Sequence, residues 1–306
     1  MAVADNNNDE QRVTQLRTEL VERIASVHAE EGFLDIFPGV HMIRMTEPTK
    51  PLQSVFKPCF CVIAQGSKTV TLGDEKFSYD EGNYLIATMD LPVESCVVEA
   101  SESKPYLSVV FELDPSLVAE VMLECGINVS GSATVRAVNV SSIEPELLDA
   151  AVRVVRLLDS PEDTKMMLPL LKKELIYRLL RGNQAARLAH LLAGEDHRIS
   201  RAIDTLRKNY DRPLRIETIA RDLGMSVSGF HFHFKSVTAM SPLQYQKSIR
   251  LQEARRLMLA EDYDAASAGF RVGYEDAAYF SRDYKRHFGE PPQRDVARLR
   301  GQAATQ

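Results

Sequence analysis

The chain of 306 residues has no apolar run approaching the roughly 20 residues a bilayer-crossing helix needs, so no membrane span is expected. Its cysteines are few and scattered: Cys59, Cys61, Cys96 and Cys125. None belongs to a paired C-x-x-C knuckle, so free thiols are expected rather than a zinc site or a disulfide framework. The N-terminal stretch MAVADNNNDEQ is polar and acidic, without the apolar segment and small-residue cleavage site of a secretory signal. A cytoplasmic location is expected from that. Also lacking are a glycine-rich phosphate loop following a strand, and a serine, histidine and aspartate set in a nucleophile context. No enzyme activity, metal or cofactor is expected.

What is present suits a soluble chain of two domains, each long enough to bury its own core. The formal charge of −6 hides an asymmetry. Residues 195–306 carry about +4 and the remainder about −10, which places the positive surface at the C-terminal end.

After a polar tail expected to be disordered over 1–12, Leu16, Leu20, Ile24 and Val27 recur at helical spacing. From Phe33 to Leu113 the pattern turns to short β-favouring runs: VHMIRM, SVFKPCFCVIAQ, KTVTL, KFSY, NYLIATM, ESCVVEA and YLSVVFEL. Pro48, Pro51, Gly66, Gly73, Gly82, Pro92 and Pro105 punctuate them. Many short strands at near-regular spacing predict a small barrel or sandwich, and Gly73-Asp74 predicts a tight hairpin. Beyond Asp114-Pro115 the pattern is helical to the end. Leu168, Leu171, Leu175 and Leu179 form an apolar stripe, most simply read as sealing the β domain and otherwise as a dimer face.

The most informative stretch begins near Leu214. Ile216, Ile219, Ala220 and Leu223 sit at i, i+3, i+4 and i+7, with Gly224 where a helix C-cap is wanted. Ser226 then caps a second helix with Phe230, Phe234 and Val237 inward and Ser228, His231, Phe232 and Lys235 outward. This is a helix-turn-helix. The layout recurs about 50 residues later: Ala265, Ala268 and Val272, a turn at Gly273-Tyr274, then Phe280, Tyr284 and Phe288 inward and Ala277, Ala278, Ser281, Arg282 and Lys285 outward. Ser241-Pro242 launches the intervening helix, whose apolar side is expected to carry Leu243, Ile249, Leu251, Ala254, Leu257 and Met258. At about 1.5 Å per residue it spans about 27 Å, near the B-DNA repeat of about 34 Å. Two recognition helices can then enter successive major grooves.

These residues carry a resemblance. Ile219-Ala-Arg-Asp-Leu-Gly-Met-Ser226, His233-Phe-Lys235, Met240-Ser-Pro-Leu-Gln-Tyr245, Arg250-Leu-Gln-Glu-Ala-Arg-Arg-Leu257, Val272-Gly-Tyr-Glu275 and Phe280-Ser-Arg-Asp-Tyr-Lys-Arg-His-Phe-Gly289 resemble the DNA-binding domain of the AraC/XylS family. Pro48-Thr-Lys-Pro51, Val62-Ile-Ala-Gln-Gly66, Val70-Thr-Leu-Gly-Asp74, Leu91-Pro-Val93 and Lys104-Pro-Tyr-Leu107 are similar to the N-terminal domain of one branch of that family. The resemblance implies an α+β chain: a cupin-like β-barrel with flanking helices over 13–192, and an all-α domain of two helix-turn-helix motifs over 193–302. It implies a transcription regulator with promoter DNA and a small-molecule effector as partners, often a second copy of the chain, and RNA polymerase where the regulator is an activator. Carried over by position, base-reading residues fall on Ser228, His231 and Phe232, and on Ala277, Ala278, Tyr279 and Arg282. Lys235, Lys285 and Arg286 are placed for phosphates. Phe232 stands where a polar side chain is frequent, and Ala239 and Gly269 exchange the glycine and alanine common in the family.

Two alternatives remain at this stage. Cys59 and Cys61 share a strand face, and with Cys96 they are candidate redox or electrophile sensors, with Lys57 placed to lower a thiol pKa; buried small hydrophobes is the plainer reading. The other is a small-molecule-binding cupin that has lost DNA binding. A catalytic cupin needs clustered histidine and glutamate ligands, and the strands hold only His41. His231 and His233, two apart on a helix, point to different faces and do not chelate one ion.

Overall fold

The computed structural model describes residues 2–127, 135–192 and 198–304. The expected domain boundary at 192/193 adjoins 193–197, which lie outside the described residues. The first helix, α1 (Ala2–Val27), buries Leu16, Leu20 and Ile24, as their spacing predicts. The expected tail over 1–12 is helical from Ala2 on. Extending a helix already nucleated by packed residues costs little per residue, and Arg12 ties this part to Glu146 at 3.1 Å.

Among the described residues ten strands follow, β1 (Gly32–Phe37), β2 (Val40–Met45), β3 (Leu52–Phe56), β4 (Cys59–Gln65), β5 (Ser67–Leu72), β6 (Glu75–Asp80), β7 (Asn83–Ala87), β8 (Leu91–Glu99), β9 (Tyr106–Glu112) and, later in the chain, β10 (Val138–Ser142). They form two antiparallel sheets, in the orders β1-β2-β9-β4-β7-β10 and β3-β8-β5-β6. The β-rich domain is as expected, with its two facing sheets left open rather than closed into a ring. Lys57-Pro58 splits one expected strand into β3 and β4. Leu72 pairs with Glu75 across Gly73-Asp74, and Gly73 takes the positive φ (59°) of the hairpin.

Strand β10 departs from the expectation of helix throughout this region. Only Val138 and Val140 alternate within VNVSS, too short a signal to separate from a loop, yet pairing with β7 extends the larger sheet. Around β10 lie α2 (Pro115–Glu124), α3 (Pro145–Arg156), α4 (Pro161–Arg181) and α5 (Ala185–Leu188). Asp114 caps α2 by accepting from the Ser116 amide at 2.7 Å. These helices and α1 cover the outer face of the larger sheet, where Phe60, Val62, Ile86, Val109 and Phe111 meet Leu20, Ile24, Leu147 and Val152. The stripe Leu168, Leu171, Leu175 and Leu179 is buried in that same core, so it seals its own domain.

The C-terminal region is helical: α6 (Arg198–Lys208), α7 (Ile216–Asp222), α8 (Val227–Thr238), α9 (Pro242–Ala260), α10 (Ala265–Arg271), α11 (Ala277–Phe288) and α12 (Pro292–Ala304). A capping box of Ser241 and Gln244 starts α9, whose 19 residues span about 28 Å. Leu243, expected on its apolar side, is exposed in the first turn instead.

The inner faces of both sheets share one core with α6, α7, α8 and the first half of α9. A separate core holds the second half of α9 with Ala268, Val272, Phe280 and Tyr284.

Candidate nucleic-acid interface

Helices α7 and α8 cross at Ala220, which is buried, and turn at Gly224, whose φ of +63° is one that glycine adopts without strain. The Ser226 hydroxyl accepts from the Gly229 amide at 3.1 Å and so starts α8. Phe230, Phe234 and Val237 are buried, leaving Ser228, His231, Phe232 and Lys235 exposed on the other side. Phe232 is 67% exposed, with the His233 ring edge-on at 5.3 Å. It is an apolar ring offered to solvent, not a packing residue.

The second motif repeats this geometry. Asp264 caps α10, and the Asp276 carboxylate accepts from the Tyr279 amide at 2.5 Å to start α11. Phe280 and Tyr284 face inward. Ala278, Tyr279, Arg282 and Lys285 are exposed and Ala277 is half-buried. Arg282 lies over the Tyr279 ring at 5.9 Å, so the two long side chains share one face. Arg286 turns the other way. It pairs with the buried Asp283, which also takes Lys247 at 2.6 Å, and it borders a cavity of about 340 Å³ beside Gln53 and Glu94. A Cβ on Gly269 would lie 2.9 Å from the Phe280 ring, which accounts for glycine where alanine is common.

A buried ionic cluster fixes α9, α11 and α12 together. Asp295 accepts from Arg255 through two nitrogens at 2.8 Å each and from the Tyr284 hydroxyl at 2.8 Å. Arg255 also stacks 4.2 Å from the Phe288 ring centre.

Comparison with known proteins bears on this surface. Residues 36–187 match the AraC-type transcriptional regulator N-terminus, and residues 219–298 match a helix-turn-helix domain. The chain belongs to the AraC/XylS family of transcription regulators. The virulence regulon transcriptional activator VirF of Yersinia enterocolitica is 23% identical over 239 residues, which is 76% of this chain and 86% of VirF. The activator RhaS of Klebsiella pneumoniae is 28% identical over 109 residues, 36% of this chain and 39% of RhaS. An apo form of ToxT from Vibrio cholerae shares the fold at a TM-score of 0.54 and 12% identity, covering 86% of this chain and 98% of ToxT. The regulator is therefore a DNA-binding protein of two parts, and these relatives are regulators rather than enzymes.

Contacts between the two parts converge on the C-terminal end of α8, where unpaired helix carbonyls attract donors. Arg136 donates to the carbonyls of Lys235 and Ser236 at 2.7 and 2.5 Å and pairs with Glu75. The Ala137 amide donates to the Val237 carbonyl at 3.0 Å. Ala239 ends α8 at a left-handed φ of 60°, against the Gly73 hairpin, where a Cβ on Gly73 would lie 2.4 Å from the Ala239 carbonyl oxygen. Further along, Tyr245 donates to the Asp90 carbonyl at 2.7 Å, and Arg207 pairs with the Asp90 carboxylate. Sequence reasoning missed Arg136 and Asp90, because neither belongs to a motif.

The thiols occupy a different place. Cys59 and Cys61 are buried on the inner face of the larger sheet, so they share a face as their spacing requires. Burial pushes the Cys59 thiol up to about 12 and raises that of Cys61. Lys57 lies away from them, donating to Glu112 at 3.4 Å, and Lys68 is the cation beside the thiols. Cys96 donates to the Thr49 carbonyl at 2.9 Å. Raised thiol pKa values disfavour the thiolate that an electrophile or oxidant sensor needs.

Proposed function

We propose that residues 13–192 sense a small molecule and that residues 193–302 carry the response to promoter DNA by placing α8 and α11 in successive major grooves. The observation that carries this reading is the division of cores. The first helix-turn-helix is continuous with the inner faces of the sheets, while the second stands on its own core at the far end of α9. A change between the sheets then acts on α8 directly and alters its placement relative to α11.

Base reading falls to the exposed faces. Ser228 and His231 offer hydrogen bonds from α8, and Phe232 meets a thymine methyl, since it has no donor or acceptor of its own. On α11, Arg282 and Tyr279 read base edges, while the small Ala277 and Ala278 let the helix approach closely. Lys235 and Lys285 reach phosphates, and Arg286 does so by leaving Asp283. A second copy of the chain and, in an activator, RNA polymerase are the further partners.

The test is selection of bound sequences from random DNA by the full chain. A bipartite motif whose halves lie about 10 base pairs apart is expected from the two helices. Recovery of sequences with no shared motif would reject the reading.

A further inference from the structure

The seam between the two cores of the C-terminal region falls on one residue. Ile249 belongs to the core shared with the sheets, and Leu251 to the separate core of the second motif. Arg250 stands between them near the middle of α9, and its guanidinium bonds backbone carbonyls on both sides. Nε donates to the Tyr210 carbonyl at 2.6 Å and one Nη to the Arg212 carbonyl at 2.9 Å, both in the turn that leads from α6 into α7. The other Nη donates to the Gly273 carbonyl at 2.9 Å, in the turn between α10 and α11. Gln246, buried on the same helix, adds a hydrogen bond to the Arg212 carbonyl at 2.8 Å.

The two turns also touch each other. Gly273 has a φ of +89°, and a Cβ there would run into the Asp211 carbonyl. Gly224, at the equivalent turn of the first motif, also has a positive φ but nothing within 4 Å of where its Cβ would stand. Backbone conformation alone accounts for Gly224, whereas Gly273 is also needed for the close approach. Tyr210 packs against both cores. From this joint a row of rings and cations reaches the exposed face of α11. Arg250 lies 5.9 Å from the Tyr274 ring centre, Tyr274 lies 5.9 Å from Tyr279, and Arg282 covers Tyr279. A guanidinium suits the place, because its donors leave a rigid plane in separate directions and hold three carbonyls at once; a lysine amine is one point on a flexible stem.

We propose that Arg250 is a positioning residue for DNA recognition: it clamps the turn that opens the first helix-turn-helix to the turn of the second, holds α8 and α11 at one separation and rotation, and so fixes the spacing of the two half-sites. The proposal rests on the reading that both helices enter successive major grooves. Helix α9 alone sets a distance but leaves each motif free to pivot about its end. Any signal that moves α8 relative to α11 has to pass through this joint.

The test is anisotropy titration of the full chain against its selected site, with the spacing unchanged and with one or two base pairs inserted between the halves. One inserted pair moves the second half by about 3.4 Å and turns it by about 35° around the duplex. Wild type is expected to lose about tenfold or more at that insertion, the equivalent of one base-reading contact. Arg250→Met and Arg250→Lys should bind the original site more weakly but lose less than about threefold on insertion, since neither side chain spans the three carbonyls. A variant that is merely less stable binds every spacing proportionately less, so the ratio between spacings separates positioning from folding. Arg250→Lys keeps the charge and the aliphatic stem, and it decides the matter if circular dichroism shows Arg250→Met unfolded. Wild-type spacing discrimination in the variants overturns the proposal. So does discrimination retained by Arg250→Lys alongside a salt slope shallower by about one in Arg250→Met, which would make Arg250 a phosphate contact. A wild type indifferent to insertion defeats the two-groove reading and the joint with it; a strict wild type with equally strict variants defeats the joint alone.

Discussion

Phe232 makes the sharpest prediction about DNA reading. It is 67% exposed on α8 and has no hydrogen-bonding group, so any base preference it confers comes from apolar contact. The apolar feature of the major groove is the thymine C5 methyl. Covering one methyl stabilises a complex by about 0.8 kcal/mol, which is about fourfold in Kd. Replacing each thymine of a selected site by deoxyuridine, one at a time, should weaken wild-type binding about fourfold at one position within the α8 half. Fluorescence anisotropy resolves this. In Phe232→Ala the penalty at that position should fall to within about twofold, since the methyl no longer has a partner. A penalty of the same size in both proteins, or none at any thymine in wild type, would refute the argument.

Other predictions concern the framework that holds this surface. Asp295→Ala strands the buried Arg255 and the Tyr284 hydroxyl and should destabilise the second motif by about 3–5 kcal/mol, seen as a lowered melting transition by circular dichroism. Gly269→Ala places a methyl 2.9–3.2 Å from Phe280; overpacking of about 1–3 kcal/mol should outweigh the helix-propensity gain of about 1 kcal/mol, and a higher melting temperature would contradict that. His287 has its pKa lowered by burial, and by Arg255 and Lys247, from 6.5 to about 4. Its unfolded form therefore binds the extra proton first, and stability should fall as pH drops from about 6.5 to 4, by at most about 3 kcal/mol. In His287→Gln the melting temperature should lose that part of its pH dependence.

Much of the fold is legible because local signals and global packing agree. Ser226 and Ser241 cap the helices they precede, and Phe230, Phe234, Phe280 and Tyr284 fall inward at the spacing their periodicity dictates. The exposed faces of α8 and α11 are legible for the same reason, being the positions left over once the buried stripe is assigned. Strand β10 is not, because two alternating valines among asparagine and serines carry little β signal without β7 beside them. Leu243 shows the opposite failure: an apolar residue in a capped first turn reads as core, but the turn projects beyond it. Arg136 and Asp90 act through partners 61 to 155 positions away, and long-range pairing of that kind leaves no local pattern.

The account rests on sequence-specific binding through both recognition helices, and one titration tests it most directly. The full chain is titrated by anisotropy against its selected site and against random DNA, across a salt series, alongside Arg282→Ala. Preference for the site, a loss of about 1–3 kcal/mol in Arg282→Ala confined to the base it reads, and affinity that declines steeply with salt are expected. Equal binding to both DNAs, or an Arg282→Ala protein that discriminates as well as wild type, would contradict it.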